Sequence, residues 1–205
     1  MQPETSAMLF WFMGFRVEYS GIGCIFLALL CLVIPVDWLA AAVLAALWHE
    51  ICHILAVNLV GGRVFSVEIH SGGAVLDVSA MERWKELICI MAGPAGSLSL
   101  LLILRWMPRT ALCGMVHGIF NLVPVYPLDG GRALGCMTEM LFPGKTGEKI
   151  CIVIKWVVIV LAVSVAVWAS VVKKMGSVPL FGAGFFLSRM GGGKISCKDG
   201  KHRVQ

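Results

Sequence analysis

Charge is what this sequence has least of. Only 14% of its 205 residues are Asp, Glu, Lys or Arg, while 59% are hydrophobic and the mean hydropathy is +0.87. A soluble domain carries about a quarter of its residues as charges. So few polar groups cannot cover a water-soluble core of this size, so much of the apolar surface is expected to face lipid. The cysteines lack paired spacing: eight are scattered, six of them (Cys24, Cys31, Cys52, Cys89, Cys113, Cys151) in apolar runs, with no C-x-x-C. That pattern favours small buried thiols over a disulfide framework. No block of basic residues stands apart from span flanks and the tail (Lys194, Lys198, Lys201, Arg203), so the net charge of +5 reads as topology bias and not as a nucleic-acid surface. No charged leader with a cleavage site opens the chain, and the first long apolar run is expected to stay as a helix. No internal repeat and no second soluble domain is visible, so residues 1–205 are expected to form a single membrane-embedded domain.

What is present is a series of apolar runs. The fold class expected is an α-helical polytopic membrane protein of five to six transmembrane helices. The first span covers about Gly21–Pro35, with the apolar Met8–Phe15 as an earlier start. The second runs from about Trp38 to Val60 and stops at Gly61-Gly62. Arg63–Ser79 then alternates as two short β-rich runs about Gly72-Gly73, which predicts a hairpin. A charged turn from Met81 leads into a third span, Leu87–Leu104. The fourth, Ala111–Val125, is broken by Pro124, Pro127 and Gly130-Gly131 and restarts near Arg132, towards Leu141. Broken helices at membrane depth are tolerated where they line a protected cavity, so this break reads as a site. Phe142–Lys149 is a polar linker and Ile150–Val172 a fifth span. Pro179–Leu187 is either re-entrant or a sixth crossing, and the tail from about 191 to 205 is expected to be disordered.

His49-Glu50-Ile51-Cys52-His53 lies inside the second span. Histidines at i and i+4 project from one helix face and can share a tetrahedral zinc ion at ~2.0–2.1 Å. Glu50 can then act as a general base on a water at the metal, the arrangement of H-E-x-x-H hydrolases. A carboxylate at the centre of a membrane span costs ~2.5–3.5 kcal/mol on insertion scales, a load that structural helices rarely carry without a partner. Two histidines leave a catalytic zinc one protein ligand short. The intramembrane candidates are Asp129, His117, Glu139 and Cys52. Asp129, at the helix break, is the best placed; Cys52 reads as packing and His117 as a core histidine.

At this point the sequence resembles the site-2 protease family of intramembrane metalloproteases. The resemblance rests on His49-Glu50-x-x-His53 followed by Asn121…Pro124…Pro127-Leu128-Asp129-Gly130, and on Met91-Ala92-Gly93-Pro94-Ala95-Gly96, which is similar to the family's Ala-Gly-Pro segment opening the third core helix. It covers about Trp38–Leu141. With no inserted domain after the hairpin, the chain is most similar to the branch containing stage IV sporulation protein FB. Members of that branch often carry a C-terminal nucleotide-sensing domain, absent from these residues, and many members have an Asn soon after the Gly-Pro, where Ser97 stands nearby.

The resemblance implies one Zn²⁺ per chain on His49, His53 and Asp129, with Glu50 as base and Asn121 as a donor to the oxyanion or to substrate backbone. It implies a bacterial cell-membrane protein with its active site nearer the cytosolic side. Its substrate would be membrane-associated, such as a pro-sigma factor in sporulation, under inhibitory or regulatory membrane partners. A helical substrate must unwind before its carbonyls can be attacked. The hairpin edge would receive the extended strand by β-augmentation, or would merely cap the cavity. The alternative is a non-proteolytic membrane metal-binding protein or transporter, which would show several ligands along a path and an internal repeat.

Overall fold

The computed structural model describes residues 8–12, 15–19, 34–70, 73–142, 144–171, 184 and 202–204. They fall into two compact units, Met1–Asn121 with Lys198–Gln205, and Leu122–Cys197. The expected first span at 21–35 and the candidate sixth at 179–187 lie almost wholly outside the described residues.

The first unit is built around helix α1, Val36–Leu59. Pro35 fixes the entry, and Asp37 in the first turn meets the positive end of the helix dipole. The exit is set by Gly61, at φ +82°, while the Gly62 N–H reaches back to the Val57 carbonyl at 2.8 Å. Ala41, Ala45, His49, His53, Ala56 and Val57 are buried, at spacings of three and four that make a single stripe. The opposite face carries Leu44, Leu47, Ile51, Leu55 and Leu59, each at least 43% exposed. Large aliphatic groups outside and histidines inside invert the order of a water-soluble helix, as burial in lipid requires.

Helix α2, Arg83–Ser99, continues as a 3₁₀ turn over Leu100–Ile103. It begins four residues before the expected third span, taking the charged turn into the helix, where Arg83 pairs with Glu86 at 2.9 Å. The Gly93-Pro94 segment lies in the middle of α2, whereas the resemblance placed it at a helix opening. Helix α3, Pro108–Asn121, starts on a proline, whose missing N–H has no helical partner to lose at that position. It rises about 21 Å and has 14 residues, fewer than the ~20 residues that a single unbroken helical crossing takes. Arg109 and Asp37 pair at 2.7 Å and tie the start of α3 to the start of α1. Both α2 and α3 pack on α1 and on each other.

Among the described residues, five strands form one sheet in chain order: β1 (Met8–Phe12), β2 (Phe15–Tyr19), β3 (Val64–His70), β4 (Gly73–Val78) and β5 (His202–Val204). The β1–β2 and β3–β4 pairs are antiparallel, and β2 runs parallel to β3 with Arg16 opposite Ser66. The long connection that a parallel pair needs is here the segment containing α1. Met8–Phe12 is therefore strand, not the start of a helix: an apolar run of five residues suits either, and pairing with 15–19 decides. His202–Val204, within the tail expected to be disordered, pairs antiparallel with Leu76–Val78, whose unmatched backbone groups offer a template.

The second unit contains α4, Asp129–Leu141, and α5, Lys145–Val171. Gly144, at φ +95°, makes the turn between them, which is shorter than the linker read from sequence. Gly147 lets α5 approach α4: a Cβ there would lie 2.9 Å from the Phe142 carbonyl oxygen. Among the described residues, Val36–Leu59, Arg83–Ile103 and Lys145–Val171 are long and apolar enough to cross a membrane.

Candidate metal centre

Helical spacing places His49 and His53 one above the other on the buried face of α1, and the structure brings their Nε2 atoms to 3.1 Å. Each ring is also held at its far nitrogen by α2. His53 Nδ1 lies 2.8 Å from the Cys89 carbonyl oxygen, which can only accept, so Nδ1 carries the proton and Nε2 keeps its lone pair. His49 Nδ1 lies 2.9 Å from the hydroxyl of Ser97, a fully buried side chain. Two nitrogens on one tetrahedral zinc at ~2.05 Å stand ~3.3 Å apart. The observed pair fits that demand, and outer hydrogen bonds of this kind are what orient ligating imidazoles.

Why α2 can come so close is written in its glycines. A Cβ at Gly93 would lie 2.8 Å from His49 Nε2 and closer still to the His53 ring. At Gly96 it would lie 2.7 Å from the Cys52 Cβ and run into its sulfur. Cys52 is thus spent on packing. Trp48 closes the same seam, its indole N–H donating to the Gly96 carbonyl at 3.0 Å.

Glu50 is half-buried on α1, with its Oε2 enclosed. His117, read from the sequence as a core histidine, has its ring 4.7 Å from that of His49, edge-on at 89°. Asn121 is the last residue of α3, and its Nδ2 donates to the His117 carbonyl at 3.1 Å, so one amide hydrogen is engaged by its own helix.

In the second unit Asp129 is the first residue of α4 and is buried. The helix thus restarts at Asp129 itself, not near Arg132, and the carboxylate occupies the position that the helix dipole favours for an anion. Arg132 lies one turn on, 3.8 Å from Asp129 Oδ1, with both side chains over nine-tenths buried. Gly130 and Gly131 are helical; their role is close approach, since a Cβ would lie 2.7 Å from the Val123 carbonyl oxygen and 2.6 Å from that of Val125. Glu139 stands on the same helix, ten residues along. Sequence reasoning missed these supporting roles: Ser97 was noted only as a departure from a motif, Gly93 only as part of the Ala-Gly-Pro segment, Arg132 only as the point where the broken helix restarts, and the Cys89 carbonyl not at all.

The profile of the Peptidase M50B-like family matches residues 22–128. The chain belongs to that family, and its long apolar helices make it an integral membrane protein. Among solved structures, a site-2 protease from Methanocaldococcus jannaschii shares its fold with a TM-score of 0.61 at 17% identity, covering 95% of this chain and 100% of that one. No curated protein matches. Family and fold together put the molecule among the intramembrane metalloproteases.

Proposed function

We propose that the protein is a zinc endopeptidase that cuts membrane-associated or single-span substrates, with His49, His53 and Asp129 holding one zinc ion and Glu50 serving as general base. The observation that carries this reading is the His49–His53 pair, Nε2 to Nε2 at 3.1 Å, with each ring held from behind by α2. The donor set supports it as well: two imidazoles and one carboxylate, all buried, are the protein ligands of many catalytic zinc sites. A zinc ion in that set supplies Lewis acidity, lowering the pKa of a water and polarising a carbonyl.

The chain's own groups do the rest. Glu50 removes a proton from the attacking water and returns it to the departing amine nitrogen, the usual duty of a carboxylate in this position. Asn121 offers its second amide N–H to the substrate carbonyl oxygen as negative charge builds there. An unwound substrate segment adds to the sheet along Gly73–Val75, the part of β4 that β5 does not pair with among the described residues. Water enters from the hairpin side, which the family resemblance makes the cytosolic side. The branch resemblance also supports a membrane-tethered pro-sigma factor as substrate, restrained by membrane partners.

The deciding experiment is co-expression with candidate single-span substrates, comparing wild type with Glu50→Gln and reading products by mass. Cleavage by wild type alone, with zinc content equal in the two proteins, is expected. Zinc in both proteins with no wild-type cleavage across the substrate panel favours a membrane metal-binding protein, and cleavage by Glu50→Gln refutes Glu50 as base.

A further inference from the structure

We infer that strand β5 is a built-in occupant of the edge where substrate docks, and that it must leave Leu76–Val78 before a substrate strand can use the end of β4 anchored to α1 and α2. The inference rests on the reading of the protein as a protease that takes its substrate as an added strand. It starts from a difference between the two halves of β4. One side of β4 is paired with β3 along its length. The other side is covered by β5 over three residues only: Leu76 stands opposite Val204, Asp77 opposite Arg203 and Val78 opposite His202. Gly73–Val75 pairs with β3 alone among the described residues.

The covered half is the one fixed to the helices that carry and brace the histidines. Val78 is buried in one core cluster with Ala56 and Val57 of α1 and Cys89 of α2. Val57 stands one helical turn past His53, and the Cys89 carbonyl is the group that holds the His53 ring. The backbone just after β4 is fastened too, the Ser79 N–H donating to the Arg63 carbonyl at 2.8 Å. A strand rises ~3.3 Å per residue, so Val75 lies ~10 Å and Gly73 ~17 Å back along β4 from Val78. A substrate strand confined to Gly73–Val75 therefore has three residues of edge, none of them at the anchored end.

β5 is suited both to hold that end and to give it up. Any extended segment offers the backbone donors and acceptors that an open edge needs, so β5 and a substrate compete for the same groups. As part of the same chain, β5 competes at the raised effective concentration of a tethered segment. Yet it makes only three residue pairs, and strand pairs that short are marginal by themselves. The result is an edge closed at rest and opened at small cost.

The test uses the full chain in detergent micelles with purified single-span reporters, reading kcat and KM separately, beside amide hydrogen exchange over Leu76–Val78 followed by mass. In an antiparallel ladder alternate residues carry the bonds to one neighbour. Of Arg203→Pro and Val204→Pro, one therefore removes an N–H that bonds β4, whichever pairs are the bonded ones. Both positions lie off the helices and away from the metal site, so the variants should fold. An open state populated at ~10% or less reduces apparent substrate affinity by ~10-fold or more. The effective proline is thus expected to raise exchange over Leu76–Val78 and to lower KM by ~10-fold, with kcat near that of wild type. If exchange rises while KM stays the same or increases, or if neither proline raises exchange, the inference is overturned and the protease reading stands. If exchange rises and neither wild type nor variant cuts any reporter, the protease reading itself falls, and this inference with it.

Discussion

Gly93→Ala tests the site through a single methyl group. The added Cβ would sit 2.8 Å from His49 Nε2, and nearer to the His53 ring. Ordinary contact is ~3.5–4.0 Å, so both rings must retreat, His49 by about 1 Å and His53 by more, or α2 must move away from them. Two costs follow. Overpacking of this kind destabilises by ~1–3 kcal/mol, which for a chain of this length lowers Tm by roughly 2–12 °C. The separation of the Nε2 pair also changes, so zinc affinity should fall at least as far as on losing an outer-shell partner, ~10–100-fold. A ~1 Å displacement of a reacting group costs about a hundredfold in rate, so cleavage of a single-span reporter should fall by that factor even at saturating zinc. Gly135→Ala is the control, since nothing lies within 4 Å of a Cβ there. The assay is chelator competition in micelles beside a thermal melt. If Gly93→Ala binds zinc like wild type, α2 does not lie against the two rings as described.

Gly96→Ala should destabilise by ~1–3 kcal/mol through Cys52, and Cys52→Gly in the same chain should recover much of that loss; a double-mutant cycle on melting temperature checks the coupling. Asp37→Asn should change stability by no more than ~1 kcal/mol, because the Arg109 partner and Asp37 are both more than half exposed, and the melt should barely shift. Removing zinc with a strong chelator should abolish cleavage, and added zinc should restore it in wild type while leaving Glu50→Gln inactive; activity that survives complete metal removal would refute the metal mechanism.

The i, i+4 histidines were legible in the sequence because helical geometry alone puts them on one face, and the cost of a carboxylate in an apolar span marks Glu50 as more than decoration. Asp129 was singled out by residue type and by the break before it. Its position as the first residue of α4 was not legible, since the glycines after it signal a bend as readily as a close contact. The strand at Met8–Phe12 escaped for a similar reason: a short apolar run suits helix or strand, and its sheet reaches through β2 to residues some fifty positions away. Ser97 was visible only as a departure from a family pattern, and His117 only as one intramembrane ligand candidate among four. What brings them to His49 is the packing of α2 and α3 on α1, set by glycines whose importance shows only when a neighbour is in place.

The short α3 has a consequence for the lipid. Its first turn is pinned to that of α1 by Arg109 and Asp37, and it rises about 21 Å against a hydrocarbon thickness of about 30 Å. The shortfall falls at Asn121, at about the same depth as His49, since each stands thirteen residues from its helix start, about 20 Å. Where lipid meets that helix end, local thinning of the bilayer would match it, and a dependence of activity on acyl-chain length is the expected sign.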